Sequence, residues 1–227
     1  MEYKISGNNL QLVTVQIDPE EKIYAEAGAM AYMSANVNIE TKSRGGILKG
    51  LGRKMAGESM FLVEFTSSGG RGLVSMGGNV PGTIKPLEFN GNNEFFIQKK
   101  AFLAATDQVK LDTVFQKKLG AGLFGGEGMI IQKLSGHGNA FIHACGDFIE
   151  YDLDENQTLK VDTACAVGWD GTVDYDIERI KGVKNMFLGG EGIFLTKLQG
   201  PGKVYLQSMS IADLAQSLLP YVSSGSR

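Results

Sequence analysis

An all-β fold made of three internal copies of one unit, about 65 residues each, is what this sequence predicts. Three observations predict it: a glycine-glutamate motif that recurs, apolar residues at every second position, and a high glycine content with few prolines. Glycine occupies 31 of the 227 positions against 5 prolines, about twice its average usage and without a collagen-like period. Such a composition implies many tight turns and therefore many short strands.

The recurrence is read from three places. A small residue followed by apolar ones appears at Ala29-Met30-Ala31-Tyr32, Ala101-Phe102-Leu103-Ala104 and Ala164-Cys165-Ala166-Val167. Downstream of each comes Met55-Ala56-Gly57-Glu58-Ser59, Phe124-Gly125-Gly126-Glu127-Gly128 or Leu188-Gly189-Gly190-Glu191-Gly192, the last two nearly identical. After each glutamate the sequence predicts a strand (Met60 to Phe65, Met129 to Leu134, Ile193 to Leu198), a glycine turn, and a second strand (Leu73 to Met76, Ala140 to Cys145, Lys203 to Gln207). Gly69 to Gly72, Gly136 to Gly138 and Gly200 to Gly202 supply the turns.

Between the small residue and the glutamate motif, each copy alternates with the two-residue period of a half-buried strand. The positions are Val37 and Ile39, Val109 and Leu111, and then Val173, Tyr175 and Ile177. A leading pair of strands, Val13 to Ile17 and Lys22 to Glu26, recurs near Leu87 to Phe89 and Glu94 to Gln98. The repeats run at about 12–85, 86–148 and 149–212 of a single domain spanning 1–227. A unit of this size leaves apolar faces and strand edges unpaired, so the three are expected to close on one another with pseudo-threefold symmetry. Edges left over after that closure permit self-association, that is, a homo-oligomer.

The tail departs from the β pattern. Ser210 precedes Ile211, Leu214, Ala215, Leu218 and Leu219, with Asp213 three residues on and Pro220 at the end. This spacing predicts a short capped amphipathic helix over 211–219, whose apolar face must pack on the body or on a partner.

These residues, and the order of glycine-rich loop, Gly-Gly-Glu-Gly and strand, resemble the family named for altered inheritance of mitochondria (number twenty-four), which contains many bacterial proteins of unassigned function. The resemblance runs from about Leu10 to Leu219. It implies a shortened double-stranded β-helix or β-sandwich unit, three per chain, with the fold of the tryptophan RNA-binding attenuation protein. The first copy departs from the motif at Ala56 and Ser59. No catalytic residues are established for the family, so the resemblance assigns none.

Bulk properties exclude several classes. The balance of 22 basic and 25 acidic side chains sets up no global field for nucleic acid. Two cysteines, Cys145 and Cys165, build no disulfide framework and point to a reducing compartment. No stretch approaches the length of a membrane-spanning segment and the start lacks a leader, so the cytoplasm is the expected location.

Chemistry-bearing patterns are few. Gly120-Ala121-Gly122-Leu123-Phe124-Gly125 spells a dinucleotide fingerprint, but a strand, not a helix, is predicted to follow it, so no cofactor is expected. His143, Cys145 and Asp147 fall at alternate positions, on one face of a strand, and with His137 they are the only metal-ligand candidates. The alternative is a half-buried histidine beside a buried thiol. Glu58, Glu127 and Glu191 stand at equivalent positions, either as paired carboxylates or as acceptors for backbone N–H groups at glycine turns.

The strongest pattern lies in the stretches before those glutamates. Lys42, Arg44, Lys49, Arg53 and Lys54 occupy the first, Lys117 and Lys118 the second, and Arg179, Lys181 and Lys184 the third. These are ten of the 22 basic residues, and 42–54, 116–125 and 179–190 contain no Asp or Glu. Leu48, Leu51, Leu123, Phe124 and Phe187 interleave with them. The expected function is non-enzymatic: binding of an anionic membrane surface or a protein partner by glycine-rich loops. A metal-dependent enzyme of the double-stranded β-helix type and an RNA-binding protein are the alternatives, the latter short of exposed aromatics beside the basic residues.

Overall fold

The computed structural model describes residues 1–42, 62–117, 129–179 and 194–222. Strands dominate them. In chain order these are β1 (Tyr3–Ser6), β2 (Leu12–Ile17), β3 (Lys22–Glu26), β4 (Met30–Met33), β5 (Val37–Lys42), β6 (Leu62–Ser67), β7 (Gly72–Gly77), β8 (Gly82–Asn90) and β9 (Phe95–Gln98). A 3-10 turn at Lys99–Ala101 leads into β10 (Phe102–Thr106), β11 (Val109–Lys117), β12 (Met129–Cys145), β13 (Phe148–Leu153) and β14 (Thr158–Asp162). The chain continues through β15 (Ala166–Asp170), β16 (Asp174–Arg179), β17 (Phe194–Gln199) and β18 (Gly202–Gln207) to the helix α1 (Ile211–Val222).

The chain forms two compact units. The first comprises Met1–Asn93, Lys100–Leu111 and Leu134–His143, and the second Glu94–Lys99, Asp112–Lys133 and Ala144–Arg227. In the first, β1-β2-β7-β4 make one open sheet, and β12-β10-β3-β6-β5 follow one another in another, with β8 also on β12. In the second, β13-β18-β15-β9-β12 follow one another, β11 lies on β12, and β14-β17-β16 make a three-stranded sheet. The long β12 contributes residues to each unit.

Each unit has its own core, and the alternating pattern supplies it. Val13, Val15 and Ile17 of β2 point inward while their neighbours are half-buried, and they meet Ile23, Phe65, Val74 and Met76. In the second unit Trp169 is fully buried against Phe96 and Tyr175 at ring separations of 6.5 and 5.0 Å, among Val161, Val173, Ile177, Leu198 and Val204. Burying an aromatic or branched side chain contributes roughly 1.5–3 kcal/mol, so these clusters account for why the alternating segments settle as strands.

Three strands carry the same irregularity. Pairing of β4 with β7 shifts register between Met30 and Tyr32, that of β10 with β12 between Phe102 and Ala104, and that of β15 with β18 between Ala166 and Gly168. An extra residue at this point is a β-bulge, which bends the strand and increases its twist.

Some expectations change. Ile39 is 41% exposed although it alternates with the buried Val37. The glycine turn foreseen at Gly136 to Gly138 is no chain break: β12 runs through it, with Gly136 and Gly138 at φ of 106° and 113° redirecting the strand. Positive φ is open to glycine and costly for other residues, so the pair acts as a bend within one strand.

The tail helix forms where predicted and extends to Val222. Ser210 Oγ accepts the Asp213 N–H at 3.0 Å, an N-cap bond, and donates its hydroxyl to Asp213 Oδ2 at 2.6 Å. Only Ile211 and Leu214 are half-buried, while Leu218, Leu219 and Tyr221 stand in solvent. The expected packing is therefore confined, among the described residues, to the first turn.

Candidate functional site

The three basic stretches are connections of one kind. Each joins two strands that pair with each other: β5 with β6, β11 with β12, and β16 with β17. The registers bring Lys42 opposite Leu62 and Arg179 opposite Phe194, so those two hairpins stay zipped up to the point where the connection starts. Of the predicted binding residues, Lys42 and Lys117 end their strands, as Arg179 does, with side chains outside the described residues. Arg44, Leu48, Lys49, Leu51, Arg53, Lys54, Lys118, Leu123, Phe124, Lys181, Lys184 and Phe187 lie outside them entirely, as do Glu58, Glu127 and Glu191.

Two of the three hairpin stems carry the opposite charge. Glu40 precedes Lys42 on β5, Asp112 lies on β11, and β16 reads Asp174, Asp176, Glu178 before Arg179. Glu178 holds Lys160 at 2.6 Å across to β14. Charge thus changes sign along the first and third hairpins, while the middle stem carries Lys110 and Lys133 against Asp112.

The residues suggested for a metal behave differently. His143 is buried near the end of β12, its ring packed where a side chain at Gly78 would have to go. Burial pushes its pKa below the usual histidine value, a hydrogen bond with the Val80 backbone opposing this in part. Cys145 is a buried free thiol whose pKa burial raises, with Asp213 adding to the effect. A buried protonated thiol is a poor nucleophile and a poor metal ligand.

Asp147 does not share a strand face with these two. Gly146, at φ 76°, turns the chain out of β12, and Asp147 is exposed with its backbone N–H donated to Ser208 Oγ at 2.9 Å. His137 sits at the exposed bend, its ring over Gly91, six residues and roughly 20 Å of extended chain from His143. Among the described residues no three His, Cys, Asp or Glu side chains come together as a metal site. The dinucleotide-like glycines lie outside the described residues, and the element after them is the strand β12.

Sequence reasoning missed one exposed apolar strand. All of β4 is exposed, with Met30, Tyr32 and Met33 in solvent, whereas β10 and β15 are buried at every position but the last. Apolar letters alone carried no sign of this difference, since all three segments read as apolar.

What emerges is a mostly β protein whose described residues hold no cluster of metal-ligating side chains. The chain belongs to the mitochondrial biogenesis AIM24 family, whose model matches residues 3–209. It is 33% identical over 230 residues to an uncharacterized protein of Streptococcus pyogenes serotype M6, covering 96% of this chain and 90% of that one. A crystal structure of a Streptococcus pyogenes protein superposes with a TM-score of 0.79 at 29% identity, covering 97% of this chain and 99% of the other. No helix among the described residues is long and apolar enough to cross a membrane.

Proposed function

We propose that the chain is a non-enzymatic scaffold in which three copies of one β unit each present a basic, glycine-rich connection to an anionic surface or an acidic protein partner. The single observation that carries this reading is the charge distribution. Ten basic residues fall in 42–54, 116–125 and 179–190 with no acid among them, leaving twelve basic against all 25 acidic residues elsewhere. A solvated body with random charge placement would not separate the signs in this way.

Support for the triplicate unit comes from strand pairing. Strands β2 and β4 flank β7, and β13 and β15 flank β18, in the same antiparallel sense. Likewise β3 and β5 flank β6, and β14 and β16 flank β17. In the middle copy the four flanking strands β8, β9, β10 and β11 all pair with the one long β12. A repeated pairing rule, with the bulge in the same place each time, is the reason for treating the three basic connections as equivalent.

Flotation of the protein with vesicles is the test. Recovery with vesicles containing phosphatidylserine is expected to exceed that with neutral vesicles and to fall as salt rises, because each basic side chain near an anionic surface contributes about 1 kcal/mol that salt screens. Changing Lys49, Arg53 and Lys54 together to Gln removes roughly 3 kcal/mol, about a 100-fold loss of partitioning. Equal recovery on neutral and anionic vesicles removes the membrane version, and no effect of the triple change on any binding removes the role of the connections.

A further inference from the structure

Asn90 and Gly91 form the only Asn-Gly pair in the sequence. Asparagine is among the thermolabile residues, and a following glycine leaves its own backbone nitrogen open to the asparagine side chain. That nitrogen can attack Asn90 Cγ: the N–Cγ bond of a five-membered succinimide forms and the Cγ–Nδ2 bond breaks. The side-chain amide leaves as ammonia, taking the proton given up by the Gly91 nitrogen. Water then adds to either ring carbonyl and opens it to aspartate or isoaspartate, so water is the one co-reactant.

The fold uses both residues of this labile pair. Gly91 has a φ of 91°, and a Cβ there would land on the His137 ring, so a larger residue is both strained and blocked. Asn90 Oδ1 accepts the Asn92 N–H at 3.0 Å, the side chain-to-backbone bond with which asparagine shapes a turn. The pair is therefore built into the connection that leaves β8.

The same turn withholds the reacting groups from each other. Gly91 donates its N–H to the Gly136 carbonyl at 2.8 Å. Asn90 donates its own N–H to Asn93 Oδ1 at 3.0 Å, and Asn93 Nδ2 donates to the Glu88 carbonyl at 2.7 Å, which closes the turn on the end of β8. With Oδ1 held on Asn92 and the Gly91 proton held on Gly136, neither group is free to make the approach that ring closure needs. Residues 90–93 are all exposed, so breaking these few bonds admits water without unfolding the core beneath.

We infer that Asn90 is a modification site of this protein, deamidating at a rate set by local opening of the turn over 88–93. The isoaspartate product carries the main chain through its Cβ, which shifts the Gly91 N–H off the Gly136 carbonyl and holds the turn open beside the bend of β12. The aspartate product keeps the main chain and adds a negative charge two residues from Glu88. This chemistry is independent of the proposed surface binding.

Incubation of the full chain in mildly alkaline buffer, with and without unfolding urea, tests it. Mass spectrometry of the peptide carrying Asn90 reads the exchange of ammonia for water. Deamidation is expected under both conditions, at least about tenfold slower in the folded chain. Asn93→Ala removes two of the turn's hydrogen bonds and keeps the labile pair; while folded, as checked by far-UV circular dichroism, it is expected to deamidate at least about fivefold faster than wild type. No deamidation in urea, equal rates with and without urea, or an unchanged rate in folded Asn93→Ala overturns the inference. Hydrogen exchange gives an arm that does not depend on the variant folding. Protection of the Gly91 amide is expected to match the slowing of deamidation within about threefold, because both require the same N–H to leave Gly136. A mismatch beyond about tenfold refutes opening of the turn as the controlling step.

Discussion

Replacing Gly136 by alanine tests the reading of β12 as one strand bent at a fixed point. Gly136 has a φ of 106°, and a Cβ there would land on the Gln108 carbonyl oxygen, well inside van der Waals contact. The bend has little room to relax: Gly91 donates its N–H to the Gly136 carbonyl at 2.8 Å, and His137 donates to Gln108 at 3.3 Å. Forcing a non-glycine residue into a sparsely populated region of φ costs about 1–3 kcal/mol, and overfilling a packed site about 1–3 kcal/mol more. The lower entropy of the unfolded alanine chain returns only about 0.4–1 kcal/mol. A net loss near 3 kcal/mol is expected, roughly 6–12 °C in melting temperature for a chain of this length.

Gly69→Ala is the matched control. Its φ of 70° lies in the left-handed region that alanine tolerates at a cost of about 1–2 kcal/mol, and its Cβ would meet nothing within 4 Å. Thermal melts of the two variants, followed by far-UV circular dichroism, separate the backbone cost from the collision. If Gly136→Ala melts within about 2 °C of Gly69→Ala, the close approach to Gln108 is soft and the rigid bend is wrong.

Burial of His143 predicts a pH dependence with a definite sign. Its pKa is lowered in the folded chain, so the unfolded chain takes up the proton first; stability is full above about pH 6.5 and falls as pH drops from there toward the folded value. Unfolding free energies from urea titrations should decline below about pH 6.5 by up to about 1.4 kcal/mol per pH unit from this group, and His143→Gln should flatten that decline; an unchanged slope would place the histidine outside the titration. Loss of the helix cap is local: Ser210→Ala is expected to cost about 1 kcal/mol and to raise amide exchange across the first turn of α1, while unaltered exchange there would show that the cap does not hold the helix.

Strand content was legible because alternation and punctuation are local. Val13, Val15 and Ile17 announce β2 by their spacing alone, and Ser210 with Asp213 announces the start of α1. Ile39 escaped because alternation says that a face is shared without saying what covers it. The Gly136 to Gly138 bend escaped because a glycine pair is written the same way whether the chain reverses or passes from one pairing to another. The basic connections were legible as composition. Their place, at the ends of paired hairpins, needed the registers.

Local chemistry in the chain thus sufficed to select strands, turns, the capped helix and the separation of charge, because each depends on residues only a few positions apart. Which edge each strand pairs with, and which edges stay empty, depends on contacts between residues far apart in the chain. Met30 to Met33, Phe102 to Thr106 and Ala166 to Asp170 read as equally apolar, yet β4 is exposed and β10 and β15 are buried. The difference is whether a partner strand lies alongside to remove that surface from water and satisfy its N–H groups, and only the tertiary structure decides that.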